Sequence, residues 1–130
     1  MITCLLCLAW QDVISPSQVT WQAIPQIPGL EVCWAVGEES EPGLYLILVR
    51  MAPGTSIPPH THPDARITTV IEGSIEVRFD QPVTRTMVLQ AGESYVAPAH
   101  RFHAVVSPKG GIYKETGMGP TATAIPKPQP

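Results

Sequence analysis

Gly54-Thr55-Ser56-Ile57-Pro58-Pro59-His60-Thr61-His62 and Gly92-Glu93-Ser94-Tyr95-Val96-Ala97-Pro98-Ala99-His100-Arg101-Phe102-His103 are the two stretches around which this 130-residue chain is organised. Between them they hold all 4 of its histidines. Neutral imidazole is the commonest protein ligand for borderline transition metals. Side chains alternate along a strand, so a His-x-His pair there sets His60 and His62 on the same face. A second strand carrying His103 brings a third nitrogen within reach of the same point.

Outward from these stretches the chain reads as short strands punctuated by turns. Leu30 to Val36 and Leu44 to Met51 are apolar runs flanking the polar Gly37–Gly43 turn, a hairpin with a long loop. Arg66 to Ile71 is expected to be a strand stopped at Glu72-Gly73. Ser74 to Asp80 alternates, with Ile75, Val77 and Phe79 on one face and Glu76, Arg78 and Asp80 on the other. Thr86 to Leu89, Ser94 to Ala97, Phe102 to Val106 and Ile112 to Thr116 follow. No helical periodicity appears, and the 15 prolines argue against long helices. The expectation is an all-β antiparallel sandwich or barrel. An immunoglobulin-like sandwich and a jelly roll are the alternatives, and the jelly roll is the one that often hosts a metal.

Length fits one domain. We assign residues 20–120 to it, 1–19 to an N-terminal extension or arm, and 121–130 to a proline-rich mobile tail. Charged residues make up only 15% of the chain, against roughly 25% in average proteins. So sparse a charge is expected where a second copy covers part of the surface, as in a homodimer. Net charge is −3 with no basic run, which argues against nucleic acid as a partner.

The 3 cysteines are an odd number and exclude a full disulfide framework. Cys4-x-x-Cys7 is a lone CxxC, weak as a metal or redox motif, and Cys33 in Val32-Cys33-Trp34 reads as a core residue. The apolar Met1–Trp10 stretch is too short to span a bilayer. It also lacks the charged n-region and cleavage site of a secretory signal. We therefore expect no membrane partner and a cytoplasmic location.

With both histidine stretches in place the chain resembles the cupin superfamily. The resemblance runs over roughly residues 20 to 120. The first motif of that family is a glycine six residues before a His-x-His pair, then a glutamate, then a closing glycine: here Gly54, His60, His62, Arg66 and Gly73. The second is Gly92, Pro98 and His103, with His100 at a position where the family has glycine and Ser107 where it often has asparagine. The stretch between motifs, Ser74 to Ala91, is short, as in small single-domain bacterial cupins. Each shared position has a physical reason. Gly73 and Gly92 sit at turns that want positive φ, and Pro58-Pro59 stiffens the approach to the histidine pair.

The resemblance implies a jelly-roll β-barrel (a double-stranded β-helix). It also implies a divalent transition metal (zinc, iron, manganese, nickel or copper) on His60, His62 and His103. The departure is Arg66, which has no lone pair and replaces the family's fourth ligand. Two readings stand. In one, three imidazoles hold the ion, and Arg66 orients an anionic small-molecule substrate or supports the site from outside it. In the other, the site has lost its metal. Asp64, Glu76 and Glu115 are candidates for the missing ligand, and His100 is a loop residue with a lesser claim on the site. The implied activity is a small-molecule metalloenzyme of dioxygenase or isomerase type. The alternatives are a non-catalytic ligand- or metal-binding sensor and a metal-free epimerase-like protein with a histidine base.

Overall fold

The computed structural model describes residues 13–125. Cys4, Cys7, most of the expected arm and the last of the tail lie outside the described residues. Nine strands follow in order: β1 (Gln22–Ala23), β2 (Leu30–Val36), β3 (Gly43–Met51), β4 (Thr55–His60), β5 (Arg66–Phe79), β6 (Arg85–Gln90), β7 (Ser94–Ala97), β8 (His103–Ser107) and β9 (Gly111–Gly119). Among the described residues there is no helix, and none long and apolar enough to cross a membrane. Every pairing is antiparallel, in the order β1-β2-β3-β9-β5-β8-β4, with β6 and β7 also on β5.

The strand β5 makes the architecture. Its first part pairs with β7 and β9, and its second with β6 and β8. The sheet therefore folds over along one continuous strand, and its two halves enclose a common core. The expected stop at Glu72-Gly73 is corrected here: β5 runs through it for 14 residues. Gly73 does have positive φ, +65°, but within the β5–β9 ladder, just past a bulge between Val70 and Glu72, rather than in a turn. A β-carbon there would strike the Gly110 carbonyl, so only glycine lets β5 bend against the β8–β9 connection.

The alternation of Ile75, Val77 and Phe79 holds. All three are buried, packed with Val49, Met51, Val70, Val105 and Tyr113. The expected hairpin of β2 and β3 also forms, with Val32 opposite Val49. Cys33, expected in the core, is half-buried on β2.

Across the inner face the side chains grade from apolar to polar. Val49, Tyr113 and Val70 are register partners on β3, β9 and β5. Two residues along lie Ile47, Glu115, Thr68 and, on β7, Tyr95. Tyr45 stands opposite Gly117 two residues further. This polar end of the interior is the end at which the histidines collect.

Candidate metal centre

Strand pairing brings the two histidine stretches together. His60, the last residue of β4, is the register partner of His103, the first of β8, and their ring centroids are 4.2 Å apart. His62, two residues beyond β4, places its ring 5.0 Å from that of His60 and 5.1 Å from that of His103. One nitrogen from each of the three lies within 4.8 Å of the others. All three rings are buried, at 5%, 2% and 0% exposure in chain order.

Hydrogen bonds decide which nitrogens are available. The Nδ1 of His60 is 2.8 Å from the Pro58 carbonyl, and that of His103 is 3.0 Å from the Arg101 carbonyl. The Nδ1 of His62 lies 3.3 Å from the Ala122 carbonyl and 3.1 Å from the Thr123 hydroxyl. A carbonyl only accepts, so each Nδ1 carries the hydrogen and each Nε2 keeps a lone pair. The Nε2 atoms of His62 and His103 are buried without a partner.

Burial also keeps the rings neutral. Desolvation, helped by His103 and Arg66, pushes His60 down to about 4. Desolvation with the Arg66 charge pushes His62 down to about 3, and burial lowers His103 as well. Neutral rings with free Nε2 lone pairs, clustered this closely, are the donor set a borderline divalent ion takes. Their Nδ1–H bonds to carbonyls are the supports that usually orient metal-binding imidazoles.

Arg66, the first residue of β5, is 2% exposed. Its guanidinium is gripped on several sides. It lies 2.8 Å from a Glu39 oxygen, 3.2 Å from Asp64 and 3.8 Å from Glu115. It donates to the Ala122 carbonyl at 3.0 Å and reaches the Thr123 hydroxyl at 3.5 Å. The Tyr45 ring lies beneath it, 5.2 Å from centroid to guanidinium carbon. Asp64 in turn accepts from the hydroxyls of Tyr45, at 2.8 Å, and Thr121. Burial works to raise the Asp64 pKa, but those two hydroxyls and the Arg66 charge outweigh it and leave Asp64 below the ordinary range.

None of the candidate fourth carboxylates joins the three histidines among the described residues. Asp64 serves Arg66, and Glu76 pairs with Arg78. Glu115 accepts from Thr68 at 3.2 Å; burial raises its pKa despite the nearby Arg66 charge. His100 is an exposed turn residue with φ +61°. It takes part through its backbone, donating its amide to the His62 carbonyl at 2.7 Å.

Residues the sequence reading did not assign to the site are Glu39, Ala122 and Thr123, and Tyr45, which reads from sequence as core packing. Their one local signal is the Thr-Ala-Thr-Ala alternation over 121–124, which is strand-like. Thr61 and Ala124 exchange two backbone hydrogen bonds, at 3.0 and 2.9 Å. Domain hydrogen bonding thus runs on past residue 120 into the segment assigned to the tail.

A family model described as a cupin domain matches residues 47–111. A germin-like protein (2-2) of Oryza sativa subsp. japonica is 38% identical over 92 residues, 67% of this chain and 37% of that protein. The chain thus spans little more than a third of the length of the curated relatives it matches first. Among solved structures, the polyketide cyclase RemF from Streptomyces resistomycificus superposes with a TM-score of 0.71 at 17% identity, covering 90% of this chain and 87% of that one. Salicylate 1,2-dioxygenase from Pseudoaminobacter salicylatoxidans, solved with gentisate, gives 0.63 at 18% identity over 75% of this chain and 29% of its own. At those identities the two structures support the fold alone.

Proposed function

The chain belongs to the cupin family, and on that premise we propose that it is a metal-binding cupin and a small-molecule metalloenzyme of dioxygenase or isomerase type. His60, His62 and His103 would hold the divalent ion. The observation that carries this reading is which nitrogens are left free where the three rings meet. Each Nδ1 is tied to a carbonyl, and two of the Nε2 atoms are buried with nothing to bond. A buried orphan nitrogen costs about 1–3 kcal/mol, and a cation shared by three imidazoles removes that cost. Imidazole suits zinc, copper, iron and nickel, and manganese remains in the set. When bound, such an ion supplies Lewis acidity or a site for oxygen beside a chelating substrate.

The chain's own residues supply the rest. Thr68, Glu115 and Tyr95, on adjacent strands, form a polar inner wall. The Tyr95 hydroxyl is buried without a well-aligned partner, a donor suited to a small organic substrate. Arg66 sits beside the site, where it would orient an anionic substrate, but carboxylates already surround its charge. Its engagement with Glu39, Asp64 and Glu115 fits a residue that supports the site from outside better than one that grips substrate.

A non-catalytic binder is the second reading. The 5%, 2% and 0% exposures of the histidines favour it, since so closed a site admits substrate only by opening. The histidine-base reading is weaker, because among the described residues no histidine shares a direct hydrogen bond with a carboxylate.

We keep the compact bacterial type from the short intermotif stretch, a cytoplasmic setting, and neither nucleic acid nor membrane as partner. A homodimer is supported by apolar side chains on the outer face. Leu44 and Met118, partners on β3 and β9, are 61% and 62% exposed; Ile67 and Val96, partners on β5 and β7, are 53% and 58% exposed.

Metal analysis of untagged protein tests the central claim. About one ion per chain is expected, lost in His60→Ala and His103→Ala. Less than roughly a tenth of an ion per chain after metal loading would overturn it. Turnover with diketones or hydroxylated aromatic acids would separate enzyme from binder. Ligand-induced thermal stabilisation without turnover favours the binder.

A further inference from the structure

We infer that residues 121–124 are part of the histidine site: a strap whose Thr123 links the Glu39 carboxylate to His62 and sets the nitrogen that His62 presents. The three histidines are not held alike. His60 and His103 are each oriented by a carbonyl two residues earlier in the chain, Pro58 and Arg101. His62 is oriented by atoms 60 and 61 residues away, the Ala122 carbonyl and the Thr123 hydroxyl. Its orientation is therefore a tertiary property, and it depends on the strap staying in place.

Proton counting gives the direction. The Thr123 hydroxyl has one hydrogen, and it donates to a Glu39 oxygen at 3.1 Å. The oxygen of Thr123, 3.1 Å from His62 Nδ1, is then left to accept. The ring must donate from Nδ1, and its lone pair stays on Nε2. The order Glu39, Thr123, His62 is a carboxylate acting on an imidazole through one hydroxyl, an arrangement that raises ligand basicity and fixes the ring.

Arg66 closes the assembly. One terminal nitrogen meets both Glu39, at 2.8 Å, and the Ala122 carbonyl, at 3.0 Å. The Thr121 amide adds a bond to the Glu39 carbonyl at 2.6 Å, and Ala124 pairs with Thr61 beside His62. Arginine in place of a ligand is on this view a clamp that fastens the strap over the second histidine. Thr123 and Arg66 are positioning residues.

The consequence for a metal rests on the metal-site reading above; the tautomer of His62 does not. The test uses the full-length chain with Thr123→Val, Thr123→Ser and Glu39→Gln. Imidazole nitrogen NMR of the metal-free protein should show His62 with Nδ1 protonated in the unsubstituted chain and in Thr123→Ser. In Thr123→Val, where only the longer bond to Ala122 remains, the two tautomers should mix. Zinc affinity, measured by chelator competition, should fall about 10- to 100-fold in Thr123→Val, hold in Thr123→Ser and lie between in Glu39→Gln. Should Thr123→Val match Thr123→Ser in tautomer and affinity, the strap is ordinary surface structure and the inference is wrong. Should the unsubstituted chain bind no zinc, the metal reading fails and the tautomer series still decides this one.

Discussion

His60 and His103 stand opposite each other as register partners on β4 and β8, with ring centroids 4.2 Å apart and both rings buried. Two polar rings packed this closely are a poor core without a shared ion. Replacing His103 by leucine removes a buried nitrogen that has no partner and leaves the Arg101 carbonyl to find another donor. The metal-free protein should melt at the same temperature or a few degrees higher, since an orphaned buried polar group costs about 1–3 kcal/mol. The stabilisation on adding zinc should vanish. In the unsubstituted chain that stabilisation should reach about 2.7 kcal/mol at metal a hundredfold above Kd. Calorimetric melts with and without zinc measure both. A large loss of metal-free stability in His103→Leu would mean that the imidazole is there for packing.

Acid should unfold the metal-free protein through the same rings. His60 is pushed down to about 4 and His62 to about 3 by burial and neighbouring positive charge, from the ordinary value of about 6.5. Their folded values lie below the unfolded one, so between them the unfolded chain binds more protons. The stability they contribute is complete above about pH 6.5 and is lost as pH falls from there toward 4. Melting temperature of chelator-treated protein should be flat from pH 8 to 7 and decline below 6.5. A curve flat down to pH 5 would show that the rings are not held neutral by burial.

Gly117 and Tyr45 face each other across β9 and β3, and a β-carbon at 117 would run into the Tyr45 ring and hydroxyl. That hydroxyl donates to Asp64, which in turn holds Arg66. Gly117→Ala should therefore act at a distance. It should cost roughly 1–3 kcal/mol by overpacking and weaken metal binding by displacing Tyr45, Asp64 and the arginine clamp. In a Tyr45→Leu background the same substitution should cost clearly less, a non-additivity that a double-mutant cycle reads directly. Additive costs would mean that the two residues do not meet.

Much of this was legible in the chain, for local reasons. The alternation over Ser74–Asp80 set a half-buried strand, and the two histidine stretches marked their own elements and their convergence. Gly73 was readable as a residue needing positive φ. Whether such a glycine ends a strand or bends one is set by what lies beside it, here the Gly110 carbonyl, which no local pattern reports. The arginine was legible as a departure but not as a clamp, because of its partners only Asp64 is local, while Glu39, Glu115 and Ala122 come from three distant parts of the chain. The strap was hidden by composition: a stretch closing on three closely spaced prolines reads as a tail, and the partners that hold Thr121 to Ala124, among them Glu39, Thr61 and Arg66, lie far away in sequence.

The outer face carries the last prediction. Leu44 and Met118 are neighbours on β3 and β9, and Ile67 and Val96 on β5 and β7; all four are more than half exposed. Thr116, on β9, is the register partner of both Leu46 and Ile67, so the two pairs belong to one side of one sheet. Exposed apolar residues scattered singly need no explanation, but a contiguous set marks a surface that another molecule covers. A second copy meeting this face about a two-fold axis would bury each residue against the same patch of its partner. Met118→Lys together with Val96→Lys would then place two like charges from each copy in an apolar contact. Light scattering should report a dimer for the unsubstituted chain and a monomer for the double variant, with the melting transition becoming independent of protein concentration. If the unsubstituted chain is already monomeric at tens of micromolar, the face is not a self-association surface and the sparse charge of the chain needs another cause.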